Sequence, residues 1–128
     1  MKTTLTPDVS APGQAREYLA AHLETTRLPA GVRLDKVILT ASELVTNAVQ
    51  AGAAAVEINV QVTERRLDLV VTDDAGGWPT PTDASPDDIA GRGLSIVDKL
   101  SDTWDVDVRP GGKAITVSWF DESSRRTD

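Results

Sequence analysis

Apolar residues at Leu34, Val37, Ile38, Ala41, Leu44, Val45 and Ala48 recur at helical spacing. They predict a helix over Leu34 to Gln50, with Gly52 closing it. Upstream, Ser10 followed by Pro12 has the form of a helix start, a cap residue and then proline in the first turn. That helix is expected to reach about Thr25, where Leu28-Pro29-Ala30-Gly31 ends it. After Gly52 the period changes. Val56, Ile58, Val60 and Val62 alternate with Glu57, Asn59 and Gln61, the pattern of a half-buried strand. Arg65-Arg66 marks a turn into a second apolar strand, Leu67 to Thr72.

From Asp73 to Ala90 the chain is rich in Asp, Pro, Gly, Thr and Ser and has no period, so a long loop is expected. A short helix from Leu94 to about Leu100 follows Gly91-Arg92-Gly93. Two strands, Trp104 to Arg109 and Lys113 to Phe120, then flank the turn Pro110-Gly111-Gly112. The segment Asp121 to Asp128 reads as a polar tail. Adjacent strands with helices elsewhere imply an α+β two-layer sandwich, a mainly antiparallel sheet with helices on one face. The 128 residues form one domain on this reading, with its core at about residues 11 to 120.

Composition narrows the chemistry. Cysteine is absent and His22 is the single histidine, which excludes disulfides and thiolate or histidine-rich metal sites. Any metal is then expected to be a hard, oxygen-ligated ion such as Mg2+. The net charge of −7 excludes a broad phosphate-neutralising surface, so no direct nucleic-acid binding is expected. No apolar run reaches the roughly 18 residues of a membrane span, and no leader-like apolar segment opens the chain. The expected location is cytoplasmic, without membrane contact.

Three clusters can carry chemistry. Glu43 and Asn47 lie one turn apart on the second helix. By helical angle they fall roughly opposite the apolar stripe, clear of the core. A solvated helix face carries such a pair too; functionally, a carboxylate can take a proton and an amide oxygen can ligate Mg2+. The second cluster, Asp73-Asp74-Ala75-Gly76-Gly77-Trp78-Pro79, puts a carboxylate where an apolar strand enters a glycine turn. Such an acceptor-only group can read an exocyclic amine such as adenine's, and an Asp-Gly turn explains it as well. The third, Gly91-Arg92-Gly93-Leu94, opens a helix with glycines that let backbone amides approach an anion. Neither a Walker loop nor a dinucleotide-binding glycine fingerprint is present.

In this order the clusters resemble the boxes of the GHKL ATPases. Glu43-Leu44-Val45-Thr46-Asn47-Ala48 looks like the N box, Asp73 to Pro79 the G1 box, Gly91 to Leu94 the G2 box, and Gly111-Gly112-Lys113 the closing glycine turn. The likeness runs from about Ala11 to Phe120. Within the superfamily, E-L-V-T-N-A and G-R-G-L-S-I-V resemble the bacterial anti-sigma-factor serine/threonine kinases.

The resemblance implies the Bergerat, or histidine-kinase-like, fold, with ATP and Mg2+ as cofactors. Glu43 would be the catalytic base and Asn47 the Mg2+ ligand. Asp73 would hold the adenine amine and Gly77 shape its pocket, while Gly91, Arg92, Gly93 and Leu94 line the triphosphate. The implied activity is phosphorylation of an anti-sigma-factor antagonist by a protein that also binds a sigma factor, and so regulates transcription. Relatives are often homodimers. The alternatives are a catalytically silent partner-switching module and the catalytic domain of a split histidine kinase, for which His22 to Pro29 carries a faint phosphoacceptor box.

Three departures stand out. Ala75 occupies the first glycine of the usual D-x-G-x-G, so Asp74 with Gly76 is an alternative frame; alternation from Val71 favours Asp73. No basic residue follows Asn47 before Gly52. Arg92 is the one cation between Trp78 and Lys99.

Overall fold

The computed structural model describes residues 1–75 and 89–125, with only the backbone course given for 89–94 and 124–125. Five strands form one antiparallel sheet: β1 (Lys2–Leu5), β2 (Val56–Val62), β3 (Arg66–Asp73), β4 (Thr103–Arg109) and β5 (Gly112–Phe120), in spatial order β1-β2-β3-β5-β4. Helices α1 (Ala11–Leu23), α2 (Leu34–Gln50) and α3 (Ile89–Leu100) pack on it, and α4 (Glu122–Arg125) ends the described chain. The α+β sandwich expected from the alternation of periods is the fold observed.

Strand register explains the single covered face. Val56, Ile58 and Val60 on β2 stand opposite Asp73, Val71 and Leu69 on β3. On the other side of β3, Leu67, Leu69 and Val71 stand opposite Trp119, Val117 and Ile115 on β5. Every one of these side chains is buried, and all but Asp73 form one core with Leu19, Leu23, Val37, Leu44, Val45 and Val97. Helix α2 lies centrally against β2 and β3, between α1 and α3. The opposite face is polar. There Arg66 donates to Asp68 at 2.8 Å and to Ser118 at 3.1 Å, with its guanidinium 5.1 Å from the centre of the Phe120 ring. A face of that composition gains nothing from a second helical layer.

The structure departs from expectation at four places. Strand β1 went unread: it has four residues, and only Leu5 among them is buried. Ser10 does precede α1, and Pro12 is in its first turn, but the serine caps no amide; its hydroxyl bonds the Asp8 carboxylate instead. Helix α3 starts at Ile89, so Gly91 to Leu94 lie inside the helix instead of ahead of it. Finally, the expected tail includes the short α4, whose first amide, that of Glu122, donates to the Ala30 carbonyl at 2.9 Å.

Candidate functional site

Asn47, on the last turn of α2, and Asp73, at the end of β3, flank one short connection. Helix α2 ends at Gln50, and residues 51–55 lead directly into β2, whose first residue, Val56, pairs with Asp73 at the end of β3. The last turn of α2 and the acidic end of β3 are therefore joined by one short connection. Asp74 fastens it: its Oδ1 accepts from the amides of Ala54 at 2.8 Å and Ala55 at 3.0 Å. These backbone bonds, that of Ala55 foremost, hold the Asp74 carboxyl below its ordinary value of 3.8. Asp74 is exposed and committed to backbone.

Asp73 points the other way. It continues the inward alternation of Leu67, Leu69 and Val71 and is buried. Its Oδ1 accepts from the Ala75 amide at 2.8 Å and from Lys113 Nζ at 3.0 Å. The Asp73 and Lys113 side chains are only 3% and 6% exposed. Each charge is thereby spared the large cost of an unpaired ion in a low-dielectric interior. Oδ2 accepts no bond among the described residues. Of the two frames open in the sequence, only Asp73 presents a carboxylate on the covered side of the sheet.

Lys113 has no role of its own in the sequence reading beyond the closing glycine turn, although the sequence signals its inward placement. Lys113, Ile115, Val117 and Trp119 alternate on one strand, so the lysine shares the apolar face. A lysine there calls for an acidic partner, and Asp73 has the same placement on β3. Gly112 makes their approach feasible. A Cβ on it would lie 2.1 Å from the Asp73 carbonyl oxygen and 2.9 Å from Asp74 Cα.

Asn47 corrects the helical-wheel reading. It is not clear of the core, for both its amide nitrogen and its amide oxygen are buried, with no hydrogen-bond partner among the described residues. Helix α3 packs against α2, so α2 is covered on more than its apolar stripe. Thr40, two turns before Asn47 and nearly in line with it, is fully buried. Glu43 is half-buried one turn away and makes no hydrogen bond among the described residues. Buried polar atoms are nearly always satisfied, so an orphaned amide marks a place for an absent partner. Its oxygen fits a magnesium ion, which keeps few protein ligands and takes the rest from phosphates and water.

Gly91, Arg92, Gly93 and Leu94 form the N-terminal part of α3, beside α2. Gly77 and residues 80–88 of the expected loop lie outside the described residues. His22, exposed on α1, places Nδ1 2.8 Å from the Tyr18 carbonyl, and its ring centre lies 4.2 Å from that of Tyr18 with the planes tilted. It belongs to a helix surface remote from α3. No cluster of three His, Cys, Asp or Glu residues occurs among the described residues. None of the described helices is long and apolar enough to cross a membrane.

Comparison with known proteins places this geometry. Residues 5–119 match the histidine kinase-like ATPase domain family. Among solved structures, the chain is similar to the blue-light activated histidine kinase of Erythrobacter litoralis EL346. The TM-score is 0.56 at 19% identity, with 92% of this chain and 43% of that one covered. It is similar also to the Acinetobacter baumannii histidine kinase AdeS, with TM-score 0.54 and 14% identity over 95% of this chain and 68% of that one. The chain thus spans less than half the length of the first of these. No curated protein sequence matches it. The sheet order, the inward acidic residue ending β3 and the family match over residues 5–119 lead to one conclusion: the chain belongs to the histidine kinase-like ATPase domain family, an ATP-binding branch of the GHKL superfamily.

Proposed function

We propose that this ATPase domain is a Mg2+-dependent serine/threonine protein kinase that binds a sigma factor and phosphorylates an anti-sigma-factor antagonist. The observation that carries the reading is the buried side-chain amide of Asn47, unpartnered among the described residues, with the Glu43 carboxylate one turn away on the same helix. Asn47 would hold the Mg2+, which neutralises charge on the phosphates when bound. Asp73 would accept from the adenine amine, and the first turn of α3, with Gly91 and Arg92, would line the triphosphate beside Gly93 and Leu94. Glu43 would take the hydroxyl proton as the serine oxygen bonds to the γ-phosphorus, the bond to the bridging oxygen breaks, and ADP leaves. The resemblance of E-L-V-T-N-A and G-R-G-L-S-I-V to the anti-sigma kinases supplies the substrate and the partner.

Removing a base that acts only on the nucleophile's proton spares ground-state binding, whereas removing a metal ligand weakens the bound complex. Glu43→Gln is therefore expected to bind Mg-ATP almost normally and to transfer phosphate about 10²- to 10⁴-fold more slowly. Asn47→Ala is expected to lose the Mg2+-dependent part of ATP affinity and activity with it. Calorimetry with and without Mg2+, beside single-turnover transfer to a neighbouring antagonist domain, measures both. Transfer by Glu43→Gln at the wild-type rate would remove Glu43 from catalysis. Wild-type protein that binds ATP and a sigma factor yet phosphorylates no antagonist would be the partner-switching module instead.

A further inference from the structure

We propose that Lys113 is a base-reading residue, forming with Asp73 a donor–acceptor pair that matches the amidine edge of adenine. The carboxylate accepts from the 6-amine and the ammonium donates to N1. This rests on the nucleotide reading of the site and goes beyond it, because it assigns the second half of base recognition to a side chain of β5.

Four observations support the assignment. Lys113 stands directly opposite Asp73 in the β3–β5 register, so both side chains leave the sheet on its covered face. A lysine at a strand end can usually carry its head into water, but this one is 6% exposed and turned inward. The bonding inventory leaves capacity on both partners. Asp73 Oδ1 is taken by Ala75 and Lys113, while Oδ2 is unused among the described residues. The ammonium has three donors; one goes to Asp73 and a second reaches only the Ala75 carbonyl at 3.5 Å. Lastly, Gly112 lets the two strand ends close until a Cβ would touch the Asp73 backbone, which fixes the spacing of the pair.

The pairing also explains selectivity. Adenine offers a donor and then an acceptor along this edge. Guanine offers a carbonyl oxygen and an N–H, which would face the carboxylate and the ammonium the wrong way round. In a chain of net charge −7, the lysine further keeps the base pocket from adding a bare negative charge against a polyphosphate.

The test uses 1-deaza-ATP, which keeps the 6-amine and replaces N1 with a C–H. Calorimetry should show wild-type protein binding it about 10- to 100-fold more weakly than ATP, the loss of one charge-assisted hydrogen bond. Lys113→Met, similar in length but without donors, should bind the two nucleotides with equal, reduced affinity. A lysine that merely neutralises Asp73 would lower both affinities in the variant and leave wild type indifferent to the analogue. Equal wild-type affinity for ATP and 1-deaza-ATP overturns the proposal while leaving the nucleotide site standing. That comparison needs no variant to fold. A Lys113→Met protein that keeps the wild-type preference overturns it as well. Wild-type protein that binds no ATP overturns both the proposal and the reading beneath it.

Discussion

Asp73 and Asp74 show how adjacent identical side chains acquire different work from strand alternation. Asp73 faces the core and depends on Lys113; Asp74 faces out and ties down the Ala54 and Ala55 amides. Asp73→Asn should lose most ATP affinity, since an amide offers a donor as readily as an acceptor. It also leaves the lysine charge buried without its counter-ion, a cost of about 3–5 kcal/mol, so the variant should melt well below wild type. Asp74→Asn should bind ATP normally. Its effect belongs to the acid limb of stability. Because the folded-state carboxyl of Asp74 titrates below 3.8, its contribution is complete above that value and disappears as pH falls through the depressed one. Chemical denaturation between pH 7 and pH 2.5 should therefore show a shallower acid decline in Asp74→Asn. Loss of ATP binding in Asp74→Asn with retention in Asp73→Asn would shift the adenine ligand by one residue.

Elements with a long, clean period were legible. Helix α2 was expected over Leu34 to Gln50 and occupies those residues, and β2 likewise fills Val56–Val62. Elements whose signal is short or borrowed from neighbours were not. Strand β1 has four residues and gains its place by pairing with β2, information that no local pattern holds. Gly91-Arg92-Gly93 reads locally as a break, yet α3 runs through it, because helix propensity is a weak prior beside packing against α2. At the site, Glu43, Asn47 and Asp73 were legible as residue types. The burial of Asn47 was not, since it depends on what packs around α2 and not on the pattern along α2 itself. The β4–β5 turn supplies a test at this scale. Gly112→Ala should lower both melting temperature and ATP affinity, because its Cβ pushes β5 away from Asp73. Gly111→Ala meets no atom within 4 Å and has only the strain of its φ of +85°, about 1–2 kcal/mol. It should leave ATP affinity intact. Equal nucleotide binding by the two variants would contradict the role given to the close approach at Gly112.

Across the whole molecule, seven excess negative charges repel one another, and the ion pairs among the described residues grade from exposed to buried, with Arg66–Asp68 in between. Arg33–Asp35 and Arg109–Asp107 have side chains more than half exposed and contribute little even at low salt. Asp73–Lys113 lies where mobile ions do not reach. Added salt should then relieve the general repulsion without weakening the one pair that matters. Melting temperature is expected to rise between about 20 and 200 mM NaCl, a range over which the screening length shortens to below about 10 Å. A fall over that range would mean that exposed pairs carry more of the stability than their geometry suggests.

Two tryptophans hold the C-terminal half of α3 to the sheet. Trp119, on β5, donates its indole N–H to the Leu100 carbonyl at 2.7 Å, and Trp104, on β4, donates to Asp98 at 3.0 Å. Indole emission shifts with hydration and hydrogen bonding, so the chain carries an optical gauge of how firmly α3 is seated. With Trp78 replaced by phenylalanine, only these two indoles remain, and excitation at the red edge of the indole band leaves Tyr18 dark. Their spectrum would then report detachment of the helix that bears Gly91 to Leu94, in real time and without any attached label.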